Sequence, residues 1–116
     1  MDPKKPWECA DMGQVRTEID RIDETLVELI AERFKYVDRA WQLKMNTPEG
    51  AVVPWRIQQV IDRVRANAEQ HAVSADLCEA LWRQMIGWFI QYEEERIRQT
   101  QDAKTDADTG ADNDGG

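Results

Sequence analysis

From residue 15 to 41 the apolar positions Val15, Ile19, Ile22, Leu26, Leu29, Ile30, Val37, Ala40 and Trp41 recur at intervals of three and four, with no proline or glycine between them. That spacing predicts one amphipathic helix, capped by Asp11 and running to about Met45. At 1.5 Å per residue it is about 50 Å long, more than a small domain covers by itself, so the pattern predicts a dimer. The stretch NTPEGAVVPW, residues 46–55, reads as a loop, with Pro54 suited to the first turn of a following helix. Ile57, Val60, Ile61, Val64 and Ala68 predict a shorter second helix. After the connection QHAVS, where Ser74 is the expected N-cap, Leu77, Leu81, Trp82, Met85, Ile86, Phe89, Ile90 and Ile97 predict a third. Strand-type alternation is missing, so the expected fold is all-α: three helices, long–short–long.

Three positions break the pattern. Stepping along the first helix by three or four gives Ile22, Leu26, Leu29, Arg33, Val37, Ala40 and Lys44, and the last helix gives Ile86, Ile90, Glu93 and Ile97. Two cations and one acid therefore occupy stripes that should be apolar. A buried unpaired charge costs several kcal/mol, so each needs a partner. Glu93 can pair with Arg33 or Lys44, and long stems can carry their charges to solvent. If all three stay inside, two cations and one acid leave a positive surplus, which a bound anion would neutralise, and arginine matches a carboxylate through its paired donors. Arg16 lies seventeen residues before Arg33, about 25 Å along the helix, so it could serve the same small ligand only from a second chain; taken alone it reads as a surface residue.

Composition narrows the field. The 116 residues suffice for one domain, expected over residues 12–100, after a flexible segment 1–11. The net charge of −8 argues against a nucleic-acid binder, though half of it comes from QDAKTDADTGADNDGG. That segment, 101–116, holds five Asp and no aliphatic side chain larger than Ala, which predicts a disordered acidic tail. Cys9 and Cys78 show no C-x-x-C spacing, and neither a leader nor a membrane-length apolar run is visible. The expectation is a reduced, cytoplasmic chain that binds neither nucleic acid nor membrane. His71, the single histidine, falls in a connection and reads as solvent-facing.

The stretch VRTEIDRIDETLVELIAERFKYVDRAWQLK, with its V-R-x-x-I-D-x-I-D-x-x-L-V opening, resembles the first helix of the all-α chorismate mutases, and LWRQMIGWFIQYEE resembles their last helix. The resemblance spans about residues 12–98. Related isochorismate pyruvate lyases are similar too, in loop brevity and in the GWFI segment. What it implies is an intertwined homodimeric helical bundle, no cofactor or metal, and a small dicarboxylate substrate, chorismate or isochorismate. Arg16 (from the partner chain) and Arg33 would clamp the carboxylates, while Lys44 and Glu93 would bond the ether oxygen. Arg56, Trp55 and Ile90 would line the substrate. The implied reaction is the Claisen rearrangement of chorismate to prephenate, accelerated by charges fixed where negative charge grows.

One departure bears on the substrate. Family mutases often begin the second helix with Arg-Glu-Arg, the Glu meeting a ring hydroxyl; here the segment is Pro54-Trp55-Arg56, and an indole accepts no hydrogen bond. Isochorismate or a substituted chorismate analogue is therefore an alternative substrate. The lyase-like relatives tend toward Gln where this chain has Glu93, which favours the mutase. A non-catalytic helical interaction module is the remaining reading, and it leaves the inward charges without a purpose.

Overall fold

A computed structural model describes residues 2–45 and 54–114, with side chains through residue 103. The fold is all-α: α1 (Met12–Lys44), α2 (Pro54–Gln70) and α3 (Ala75–Asp114) follow a single 3-10 turn at Pro6–Glu8. Most of the expected loop, residues 46–53, lies outside the described residues. Among the described residues no helix is long and apolar enough to cross a membrane. The chain divides into two compact units, residues 1–37 and 38–116.

In the first unit, α1 begins where the sequence places its cap. The Asp11 carboxylate accepts the Gln14 backbone N–H at 2.8 Å, and the Gln14 side chain in turn accepts the Ala10 N–H at 2.7 Å. One donor of the first helical turn, and that of the residue before the cap, are thereby satisfied. The apolar stripe that follows differs from the core it was expected to be: Ile19, Ile22, Leu26, Leu29 and Ile30 are each 46–54% exposed. Nothing within this unit packs over them, because it consists of the N-terminal segment and α1 alone.

The second unit holds the core. Trp41 from α1, Ile61 and Ala68 from α2 and Phe89 from α3 are its buried apolar residues. α2 packs on α3, and the two are joined by a tight connection. There the Val73 N–H reaches the Ala68 carbonyl at 2.9 Å and the Ala72 N–H the Glu69 carbonyl at 3.2 Å, with Ala72 at φ 57°. This is the left-handed helix ending that glycine usually supplies, built here on an alanine. Ser74 then caps α3, its Oγ accepting the Leu77 N–H at 3.1 Å. Arg65 of α2 ties the pair together through Asp76 at 3.1 Å and Glu79 at 2.9 Å.

α3 is long. Its backbone is helical through Asp114, past the residue 100 at which the domain is expected to end. Adding residues to a nucleated helix costs little where no proline intervenes, and none occurs after Pro54.

Candidate active site

The residues singled out as charges on apolar stripes come from α1 and α3, and each unit shows its own share. In the first unit, Arg16 is exposed on α1 and Arg33 is half-buried. In the second, Lys44 at the last turn of α1 meets Glu93 of α3, with Nζ 3.6 Å from Oε2. Of the two cations weighed as partners for Glu93, Lys44 is thus beside it. Glu93 is 6% exposed, the buried acid of a core that is otherwise apolar. It occupies that place because its position on α3 continues the apolar stripe through Ile86 and Ile90, both half-buried, and Ile90 sits one turn before it.

Two opposed influences act on this carboxyl. Burial raises its pKa by penalising the charged form, and the Lys44 charge and hydrogen bond lower it. Burial prevails, so the pKa lies above the ordinary glutamic-acid range. A carboxyl in this setting holds its proton to higher pH than a surface glutamate and acts as a hydrogen-bond donor when it does. The pair therefore sets a cation beside a carboxyl that takes up its proton more readily than a surface glutamate.

The start of α2 is open. Trp55 is 68% exposed, and the exposed Arg56 bonds the Gln59 side-chain oxygen at 2.7 Å. Neither stands in the core beside Glu93.

Beside the pair lies a polar cluster that the helical pattern did not reveal. Asp38 of α1 accepts the Trp41 indole N–H at 2.7 Å and the Tyr92 hydroxyl of α3 at 2.8 Å. Arg96 lies over the Trp41 ring, 5.5 Å from its centroid, and Trp88 stacks on Tyr92 at 5.7 Å. Both bonds hold the Asp38 carboxyl below its usual range, the Trp41 bond most. Burial first, and Asp38 second, push the Tyr92 hydroxyl above its own. The Asp38–Trp41 spacing of three is a signal a helix reader can use, since such side chains meet on one face. Tyr92, 54 residues away from Asp38, gives no local sign.

The comparison with known proteins fits this arrangement. Residues 15–94 match the family described as chorismate mutase type II, a span that takes in α2, most of α1 and the part of α3 carrying Glu93. The chain is also 32% identical over 101 residues to the isochorismate pyruvate lyase of Pseudomonas aeruginosa, covering 86% of this chain and 98% of that one. With an all-helical fold and an acid–lysine pair set in its core, the chain belongs to the chorismate mutase type II family and is an enzyme of that type.

Proposed function

We infer that the protein is a chorismate mutase, converting chorismate to prephenate. The observation that carries this reading is the buried Glu93 carboxyl, its pKa raised by burial, 3.6 Å from the Lys44 ammonium. In the rearrangement the ether C–O bond breaks as a new C–C bond forms, and negative charge gathers on the ether oxygen. A lysine N–H and a protonated carboxyl aimed at that oxygen stabilise the charge more than they stabilise the neutral ether. One preorganised donor of this kind is worth about 10²–10³ in rate. The arginines Arg16 and Arg33 belong to the same reading as carboxylate clamps, with Arg16 donated across a homodimer. The half-exposed stripe Ile19–Ile30 supports such a dimer, since a second copy gives it a partner.

Isochorismate pyruvate lyase is the second reading, favoured by the Pseudomonas relative, which carries that name. Trp55 in place of a hydroxyl-binding acid is compatible with it. Purified protein incubated separately with chorismate and isochorismate decides. Prephenate from chorismate supports the mutase. Salicylate and pyruvate from isochorismate alone overturn it in favour of the lyase, and turnover of neither removes both.

A further inference from the structure

Lys44 and Glu93 come from different helices, so their 3.6 Å separation depends on how α1 is fixed to α3. An ion pair alone defines that poorly, because a lysine stem has many rotamers and its ammonium accepts many directions. The cluster at Asp38 supplies a second point of attachment. Asp38 stands six residues before Lys44 on α1, and Tyr92 immediately precedes Glu93 on α3. Six residues of helix displace Lys44 by about 9 Å along the axis and turn it by roughly 120° from Asp38. Two contacts so separated restrain both sliding and rotation of one helix against the other, which one contact cannot do.

The hydrogen bonds are directional and short, at 2.7 and 2.8 Å, and each joins a carboxylate to a neutral donor. Trp41 fixes the carboxylate's rotamer from its own helix, while Tyr92 is the bond that crosses to α3. Trp41 is itself buried in the core, with Arg96 of α3 over its ring, so the indole does not swing away. We propose that Asp38, Trp41 and Tyr92 form a positioning clamp that sets the register of the last two turns of α1, residues 38–44, on α3 and thereby holds Lys44 at Glu93 for the reaction. These are positioning residues: they act through the pair and not on substrate. The proposal rests on the reading of Lys44 and Glu93 as the charged pair of the site.

The test uses the full chain and two readouts. Tyr92→Phe removes one oxygen and keeps the ring, so the fold persists. With whichever substrate the wild type turns over, kcat falls about tenfold while KM stays within about twofold, because misplacement of a catalytic group by a fraction of an ångström is felt in the transition state. Asp38→Asn behaves alike. Arg65→Gln serves as the control: it severs the ion pairs between α2 and α3, so it lowers Tm while kcat is kept. A Tyr92→Phe enzyme with kcat within twofold of wild type, assayed well below its Tm, overturns the clamp.

The second readout needs no turnover. Asp38→Asn and Lys44→Met are combined, and Tm is measured for the single and double variants. If the clamp holds the pair, the double variant loses roughly 2–4 °C less than the singles together. Additive losses overturn the clamp. Should the wild type turn over neither chorismate nor isochorismate, the functional reading fails and this cycle alone decides the clamp.

Discussion

Replacing Glu93 by glutamine keeps the shape of the side chain and a donor N–H, and removes the titration. The structure gives the direction of the effect. At 3.6 Å the attraction between Lys44 and an ionised Glu93 is about 4–5 kcal/mol at an effective dielectric of about 20. Stripping a carboxylate of water costs several kcal/mol, and burial is the stronger influence on this group. The acid form is therefore retained above the usual glutamate range near pH 4.3. If the reaction needs the protonated acid, kcat/KM is greatest at low pH and falls as Glu93 ionises. Above its pKa, log kcat/KM declines with a slope approaching −1, because each pH unit cuts the population that can donate about tenfold, equivalent to about 1.4 kcal/mol. As pH rises from 5 to 8 the wild type should lose activity, and Glu93→Gln should be nearly flat. The assay is initial-rate disappearance of substrate in buffers of constant ionic strength, with folding checked at each pH. A flat wild-type profile across that range refutes a proton-donating Glu93, and so does a Glu93→Gln profile that keeps the wild-type slope.

Three further outcomes are expected of the protein. Lys44→Ala should lower kcat/KM by about 10²–10³; it should also cost stability at pH 7 more than at pH 5, because a lone buried Glu93 with its pKa raised further is tolerated only when protonated, as melting at the two pH values will show. Ala72→Gly relieves a left-handed alanine at φ 57° and should raise stability by about 0.5–1 kcal/mol, roughly 3–5 °C in a thermal melt; an unchanged Tm would mean the turn stores no such strain. Leu26→Glu places a charge in the half-exposed stripe of α1 and should shift the light-scattering mass from dimer to single chain, whereas a wild type that is already a single chain contradicts the dimer.

The helices were legible because each carries a 3.6-residue apolar period and its own punctuation. Asp11 and Ser74 cap where their side chains suggest, and Pro54 stands at the first position of α2. The charges at Lys44 and Glu93 were legible for the same reason, since an ionic residue on an apolar stripe is conspicuous. Periodicity shows that a face is apolar and does not show what lies on it, which is why Ile22, Leu26 and Leu29 read as core and are half-exposed in the chain. Tyr92 was invisible because its partner is 54 residues away.

A last consequence concerns which changes of chain length the protein can absorb. Trp41 is locked in the core, and Lys44 follows it by three residues on the same helix. One residue inserted between them turns the lysine by about 100° and carries it 1.5 Å onward, away from Glu93, while an insertion of a whole turn returns its direction but moves it about 5 Å. No insertion at this point restores both angle and height. Additions and deletions must therefore gather between helices or beyond their ends, and the spacing from Asp38 to Lys44 acts as a fixed ruler within an otherwise extensible chain.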